Sequence, residues 1–349
     1  MESLRQSSHD RFLIAEQADA GALRRAVSSY TERLHVPPSR RGRAELVATE
    51  LATNLIRHAD GARCVLARPI PPSSVELIAV DAGPGIKDVP AAIDGRTRTR
   101  SGLGRGLAAV CRMSSHFDLF SEPGYGTTVL AVVDLGQPTA RYRAPAPRSW
   151  AGVSLGVTEP CGDGWAVAEL DRERVVVLVD GLGHGARASL AADAALSALT
   201  AFARGPGHLD QFLDEADEAM RDTRGAAVAV CRLRPEREEL QHLAVGNVSG
   251  RIIDGDHERG LPFRNGTLGL RTPYGPRSAR RRVAATHHPW RPGALLLLWS
   301  DGLRSSIDLS AHPALLTHDP AVIAATLHRT HSRERDDATV VVVRNTVTS

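Results

Sequence analysis

The sequence predicts a mixed α/β (α+β) protein of two domains, an N-terminal α/β sandwich and a C-terminal β-sandwich flanked by helices. Three observations carry this expectation. Residues 137–150, QPTARYRAPAPRSW, hold three prolines and three arginines without apolar periodicity; such a composition cannot build a core and reads as a linker. Before it, helix-periodic stretches alternate with short apolar strands. After it come many short strands and only two helical stretches, the pattern of a sheet-on-sheet core with helices outside. The expected boundaries are 1–136, 137–150 and 151–349, and a cut in the linker is expected to give two soluble fragments, each with its own activity.

In order along the chain, residues 11–14 read as a short strand, 20–34 as a helix and 43–58 as a second helix with Leu46, Leu51 and Leu55 on its buried face. Strands are expected at 75–80, 117–121 and 127–133. Beyond the linker, strands are expected at 165–170, 174–179, 226–232, 240–245, 295–300 and 338–344, with helices at 186–203 and 209–221.

Composition narrows the function. A chain of 349 residues with 42% hydrophobic and 24% charged residues is long enough for two cores. The net charge of +3 gives no reason to expect a nucleic-acid surface. Four cysteines, Cys64, Cys111, Cys161 and Cys231, lie far apart with no CxxC pair, which argues against a zinc site or disulfide framework. No apolar run is long enough to span a membrane and the first residues lack a signal-peptide core, so a cytoplasmic location is expected. Lys87 is the only lysine. It sits in neither GxxxxGK[ST] nor a kinase third-strand context, which excludes both of those ATP-using architectures.

Four clusters in the N-terminal half suggest a nucleotide site. Glu50, Asn54 and His58 recur every fourth residue and share a helix face. An amide oxygen there can complete a magnesium shell, and a carboxylate one turn earlier can take a proton from a hydroxyl. Asp81 ends an apolar strand and opens Asp81–Ala82–Gly83–Pro84–Gly85, where a carboxylate can accept from an amine while glycines let a planar ring approach. Gly102, Gly104 and Gly106 precede a helix, and backbone amides at such a start bind phosphate. Gly124–Tyr125–Gly126–Thr127–Thr128 follows.

Singly, each cluster is more common as a turn or a solvated face. In this order the set resembles the GHKL ATPase family and, within it, the anti-sigma factor serine kinases of the RsbT-like kind, over residues 10–135. The resemblance implies a sandwich that binds ATP with Mg²⁺. It assigns Mg²⁺ binding to Asn54, the catalytic base to Glu50 and adenine recognition to Asp81. It also gives Gly83 and Gly85 to the base pocket, Gly102, Gly104 and Gly106 to the phosphates, and Thr128 to a water-mediated adenine contact. No room exists upstream of Glu50 for a phospho-acceptor dimerisation helix, so serine or threonine of a partner is the better acceptor.

The C-terminal half repeats one device. Asp180 and Asp301 each follow an apolar strand and precede a glycine, Asp163 stands between two glycines that lead into a further strand, and Asp336–Asp337 precedes another. Carboxylates at strand ends can gather two divalent cations that activate a water for attack on phosphorus. The order GD, DGLGHG, GN, SDG, DDAT resembles the SpoIIE-type branch of the PPM metal-dependent protein phosphatases, RsbX-like in its shortness, over residues 155–345. The resemblance implies two Mn²⁺ or Mg²⁺ ions. Asp180 would bridge them, Gly181 would lend its carbonyl, and Asp301 and Asp336 would complete the coordination of the second metal. Asp163 would ligate directly or through water, and the choice between Asp336 and Asp337 stays open. His184 reads as structural more readily than as a general acid.

These readings combine into a bifunctional signalling switch. The kinase half would phosphorylate serine or threonine of a STAS-domain or anti-sigma pathway protein, and the phosphatase half would remove such phosphates. The alternative is a nucleotide-dependent binding module for a sigma factor or STAS partner fused to an active phosphatase.

Overall fold

The computed structural model describes residues 3–5, 9–96, 98–99, 102–103, 105–136, 148–170, 172–205, 207–270 and 284–346, with 3–5, 98–99 and 102–103 described by their backbone alone. Most of the expected linker, 137–147, lies outside the described residues. The chain forms two compact units that are not contiguous in sequence. The N-terminal unit comprises His9–Arg148 and Leu309–Arg329; the C-terminal unit comprises Met1–Ser8, Ser149–Asp308 and Thr330–Ser349. A linear division at 137–150 therefore misplaces two segments. A cut there would strip residues 309–329 from the unit they pack in, which amends the expectation of two independent fragments.

Elements are numbered along the chain, and β1 (Ser3–Arg5) belongs to the C-terminal unit. The N-terminal unit holds one antiparallel sheet of β2 (Asp10–Leu13), β3 (Arg63–Ile70), β4 (Ser74–Asp81), β7 (His116–Glu122) and β8 (Gly126–Asp134), in the order β2-β3-β4-β8-β7. Helices α1 (Gln17–Arg33), α2 (Pro38–His58) and α4 (Gly106–Met113), with the short α3 (Val89–Ile93), complete it beside the hairpin of β5 (Arg98–Thr99) and β6 (Gly102–Leu103). Pro38 opens α2 at a position where a missing amide costs nothing. The buried face of α2 is Ala44, Val47, Ala48, Leu51, Ala52 and Leu55. Leu46, expected on that face, is exposed. Its place in the helical period points it away from the Val47–Leu51–Leu55 stripe.

One sheet face, with Val65, Ala67, Leu77, Ala79, Val129 and Ala131, packs in the core with Leu23, Val27, Leu51 and Leu55 of the helices. The opposite face, with Leu66, Ile78, Thr128 and Leu130, is buried too. It also holds charge. Glu76 is fully buried and takes Arg68 Nε at 2.6 Å, His9 Nε2 at 3.0 Å and the Arg148 guanidinium. Burial alone would raise the Glu76 carboxyl, but the charges of Arg148 and Arg68 and the His9 hydrogen bond hold it well below the usual range. β3 was not expected from the sequence, because two arginines and a proline broke its apolar run.

Residues 309–329 join this unit through α7 (Pro320–His331) and the turn before it. Asp319 Oδ1 accepts from the Ala321 amide at 2.7 Å and Pro320 opens the helix, a well-formed start. Asp118 on β7 anchors the approach. It accepts from His318 Nδ1 at 2.9 Å, the Asp319 amide at 2.6 Å and the Leu119 amide at 2.8 Å. Asp319 Oδ2 in turn meets His116 Nε2 at 2.8 Å.

The C-terminal unit stacks two antiparallel sheets. The first runs β1, β10 (Asp163–Glu169), β11 (Arg174–Gly181), β12 (Ala226–Arg234), β13 (Glu239–Val245) and β16 (Thr286–Pro289). The second runs β15 (His257–Leu261), β14 (Ser249–Asp254), β17 (Leu295–Trp299), β18 (Ala338–Arg344) and β9 (Trp150–Leu155). Their facing side chains, among them Trp165, Leu178, Trp290, Leu296 and Val341, form one core. The helices α5 (Ala186–Phe202) and α6 (Leu209–Ala219) pack through Leu199, Phe202 and Phe212 on the outer face of the first sheet. Among the described residues no helix is long and apolar enough to cross a membrane.

Burial opposes ionisation of Asp118, but the His318 hydrogen bond and the two amides hold its carboxyl below the usual value. A carboxyl depressed by folding stabilises at pH above its unfolded value, and that contribution is lost as pH falls through its folded value. Asp118→Asn should therefore cost the N-terminal unit about 1.5–3 kcal/mol at neutral pH, with the gap to wild type closing in acid. All four tryptophans, Trp150, Trp165, Trp290 and Trp299, lie in the C-terminal unit. Urea unfolding by far-ultraviolet dichroism should thus shift while the tryptophan fluorescence transition stays in place.

Candidate functional site

In the N-terminal unit a cavity of about 380 Å³ opens beside α2. Its wall carries Asn54 and His58 from α2, Asp81 from the end of β4, Gly85 and Ile86 from the next turn, Gly106 at the start of α4, and Thr127 and Val129 from β8. The volume suits a small organic ligand, and the lining is mainly apolar with few polar groups. Two glycines shape it. Gly85 has φ +73° and lies so close to the β7–β8 turn that a Cβ would sit 2.1 Å from the Glu122 carbonyl oxygen. At Gly106 a Cβ would meet Glu50 Oε2 at 2.9 Å and Asn54 Oδ1 at 3.0 Å. The start of α4 thus rests directly on the two polar groups of α2.

Asp81 is 8% exposed. Its Oδ1 accepts from the Gly83 amide at 2.8 Å. Burial pushes its carboxyl up, while the amides of Gly83 and Thr127 and the charge of Arg329 act the other way. The result is a carboxylate at an apolar wall, suited to accept from an amino group. Asn54 Nδ2 is buried and has no hydrogen-bond partner. The unmatched atom is an N–H donor, so the partner it lacks among the described residues is an acceptor such as a phosphate oxygen, while the oxygen of the same amide is the atom suited to a hard cation; these residues fit an adenine nucleotide with a magnesium ion.

The sequence-derived assignments are met unequally. Asn54, Asp81, Gly85 and Gly106 come together at the cavity. Gly83 does not line it; it holds the Asp81 carboxylate instead. Glu50 touches the approach to Gly106 and Asn54 rather than the cavity wall. Gly102 pairs with Thr99 in the β5–β6 hairpin, and Gly104 lies outside the described residues. Thr128 is a correction. Side chains alternate along a strand, so Thr127 and Val129 face the cavity while Thr128 faces the other side and takes a hydrogen bond from Thr326 Oγ1 at 2.9 Å.

In the C-terminal unit the expected carboxylates converge. Asp163 and Asp180 stand opposite each other where β10 meets β11. Asp301 follows β17 and Asp336 precedes β18, neighbouring strands of the second sheet. Ser300 Oγ donates to Asp163 Oδ2 at 2.6 Å and joins the two sheets at this end. The Thr339 hydroxyl also bonds Asp163, and it meets Ser154 Oγ at 2.7 Å. Burial pushes Asp180 far above the usual carboxylate range, and the charges of Asp163, Asp301 and Asp336 push it further. Burial raises Asp163 likewise, against its hydroxyl partners. The Asn247 amide donates to Asp301.

Asp337 is spoken for. Its Oδ1 accepts from the Val157 amide at 2.7 Å and its Oδ2 from the Gly162 amide, which fixes the turn ahead of Asp163. Asp336 accepts only its neighbour's amide, at 3.0 Å, and is half-buried. Gly181 ends β11 and hydrogen-bonds the Gly162 carbonyl at 3.3 Å. His184 is exposed on the following turn. Asp180 Oδ2 is buried without a partner. Among the described residues no three carboxylate, histidine or cysteine side chains close around one point. An open all-oxygen set with an orphaned central carboxylate suits hard divalent cations, which keep part of their water. Ser300 and Thr339 escaped the sequence reading although they sit inside SDG and DDAT, because a hydroxyl beside an acid carries no local mark of the carboxylate it will bond.

A kinase-like ATPase fold joined to a two-sheet acidic domain defines the class, and comparison with known proteins agrees. The model of the histidine kinase-like ATPase domain matches residues 13–133. The model of stage II sporulation protein E (SpoIIE) matches residues 171–346, half of the chain, and the chain belongs to that family. Among relatives, phosphoserine phosphatase RsbX of Bacillus subtilis (strain 168) is 26% identical over 88 residues, 25% of this chain and 43% of that protein. Serine/threonine-protein kinase RsbT of the same organism is 40% identical over 58 residues, 17% of this chain and 44% of that protein. The matches thus span less than half of each relative. A solved structure described as "The bacterial stressosome: a modular system that has been adapted to control secondary messenger signaling" shares the fold, at 23% identity and TM-score 0.50, over 56% of this chain and 98% of that one.

Asp180 suffers repulsion from three carboxylates, so a cation should stabilise the C-terminal unit and removal of one charge should mimic part of that effect. Mn²⁺ is expected to raise the tryptophan-monitored melting temperature of the wild type by several degrees. Asp180→Asn should melt at or above the cation-free wild type and lose the Mn²⁺ shift. A full Mn²⁺ shift in that variant would place the cation elsewhere.

Proposed function

We propose that this chain is a bifunctional signalling enzyme that phosphorylates serine or threonine of a partner protein with ATP and hydrolyses such phosphates in a second, metal-dependent site. The observation that carries the reading is the presence, in one chain, of two unmatched polar centres of complementary chemistry. One is the Asn54–Asp81 cavity; the other is the carboxylate set around Asp180.

In the kinase half, Asp81 accepts the adenine amino group, and the Gly85 and Ile86 turn covers the base. Asn54 would contribute its amide oxygen to Mg²⁺, and the start of α4 at Gly106 would supply backbone amides to the phosphates. Glu50, beside Gly106 and Asn54, takes the proton of the attacking partner hydroxyl. In the phosphatase half, Asp180, the Gly181 carbonyl, Asp301 and Asp336 would hold two Mn²⁺ or Mg²⁺ ions. When bound, such ions supply a water of lowered pKa and positive charge for the phosphoryl oxygens. Ser300 and Thr339 fix Asp163 opposite Asp180, Asn247 orients Asp301, and Asp337 holds the turn at Gly162.

The matches to RsbX and RsbT and the stressosome-related fold support a partner of the STAS-domain or anti-sigma kind. The position of Glu50 outside the cavity wall favours keeping one alternative in view, a nucleotide-dependent grip on a sigma factor or STAS partner without phosphoryl transfer. Incubation with Mg-ATP and a STAS-domain protein, followed by intact-mass measurement of the partner, separates the two. The kinase reading expects a gain of one phosphate, abolished by Asn54→Ala and slowed about 10²–10⁴-fold by Glu50→Ala with nucleotide binding retained. An unmodified partner that co-purifies only with nucleotide supports the grip. In parallel, phosphate release from a phosphoserine protein should need Mn²⁺ or Mg²⁺, stop with chelator, and fall most in Asp180→Asn. Release unaffected by chelator overturns the phosphatase assignment.

A further inference from the structure

Residues 309–329 lie in sequence within the C-terminal half, yet they pack in the N-terminal unit. Their contacts fall on the β7–β8 hairpin, which also supplies part of the cavity wall. β7 and β8 form a hairpin whose β8 strand sends Thr127 and Val129 into the cavity. The same hairpin is held from outside by the segment at four points. His318 and Asp319 grip Asp118, and His312 Nδ1 meets Glu122 Oε2 at 2.6 Å. The His312 ring lies 3.7 Å from the Tyr125 ring, centroid to centroid, and Thr326 donates to Thr128.

Arg329 closes the set. Its guanidinium lies 4.9 Å from the centre of the Tyr125 ring. Its charge acts on Asp81, the carboxylate of the cavity, and draws that group toward its ionised form. Among the described residues Arg329 Nε is buried and without a hydrogen-bond partner. Asp81 and Thr127 stand opposite each other across β4 and β8. A ligand that hydrogen-bonds Asp81 therefore acts on a carboxylate that lies in the field of the last residue of the segment.

The segment's ends lead directly to the other site. Asp301 lies eight positions before Leu309, and Asp336 seven positions after Arg329. The chain that leaves Asp301 is thus clamped to the β7–β8 hairpin before it returns at Asp336. We propose that Arg329 is a positioning residue for Asp81 and that the segment 309–329 links the two sites, so that filling the adenine cavity raises the divalent-cation affinity of the acidic set. Ligand in the cavity orders the β7–β8 hairpin, the hairpin orders the segment, and the segment limits the freedom of Asp301 and Asp336. A cation that binds the ordered set loses less entropy. Linkage makes the effect mutual: cation in the acidic set raises affinity for the cavity ligand by the same factor.

This inference rests on the proposed function, in which the cavity takes an adenine nucleotide and the acidic set divalent cations. The probe is adenosine, which carries no phosphate to chelate a cation itself. Mn²⁺ binding to the full chain is followed by electron paramagnetic resonance of the free ion, with and without saturating adenosine, and adenosine binding by calorimetry with and without Mn²⁺. The expected result is at least about fivefold tighter Mn²⁺ binding with adenosine, within the usual range of coupling between sites, and the same factor in the reverse titration. Arg329→Gln should weaken adenosine binding and abolish the linkage while Mn²⁺ binding alone keeps its wild-type affinity. Arg329→Lys should restore part of both, and Thr326→Val, which leaves Arg329 and Asp81 in place, should reduce the linkage while adenosine still binds. Failure of adenosine or of Mn²⁺ to bind the wild type overturns the functional reading and this inference with it. Binding of both with unchanged or weakened Mn²⁺ affinity overturns the inference alone, and neither outcome depends on catalytic turnover.

Discussion

The carboxylate of Asp118 is the constraint on which the arrangement of the N-terminal unit turns. It receives three donors, two of them from a segment that enters from about two hundred residues away in sequence. With that anchor made, Asp319 is set to start α7, α7 sets Thr326 against Thr128, and Arg329 reaches Tyr125 and the field of Asp81. The sheet needs this cover because both of its faces are apolar. On the same outer face, Glu76 gathers His9 and Arg148, the first and last residues of the unit's main stretch. Breaking such a buried group of charges is costly because each removal leaves another unmatched, so the entry and exit of the chain are both pinned.

Much of this was legible in the sequence, and the misses have physical causes. The four motifs that point to a nucleotide and the acids that point to cations fall at helix faces and strand ends, where a local pattern suffices. Thr128 was misassigned because motif position ignores which way a strand's alternation points; the Asp81–Thr127 pairing decides it. β3 was missed because Arg68 and Arg63 look like surface residues until Glu76 and the backbone carbonyls they bond are known. The crossing of residues 309–329 had a signal that went unread. The strands VELIAV and TTVLAVV lack polar alternation, so neither face of the sheet was meant for solvent. Asp319 and Pro320 likewise spell a helix start. What covers the second face is long-range information, and no local pattern names it.

The acidic end of the C-terminal unit shows the opposite balance. Like charges directly opposite on adjacent strands are unfavourable, and Asp163 with Asp180 is such a pair. The surrounding structure tolerates it through the hydroxyls of Ser300 and Thr339 and through the two-sheet core behind. Asp337 illustrates how neighbouring acids take different parts. It is satisfied by two backbone amides and builds the turn, which leaves Asp336 free for other work.

The exchange of segments between the units also sets a timetable for biosynthesis. The first strand of the chain pairs with β10, about 160 positions later, and the outer face of the N-terminal sheet waits for α7. A ribosome adding about 5–20 residues per second needs roughly 10–40 s to travel from Arg148 to Arg329. Throughout that interval the apolar outer face of the N-terminal sheet, with Thr128 on it, lacks the cover of α7. Completion of the N-terminal unit is therefore a late step that waits for residues made near the end of the C-terminal half.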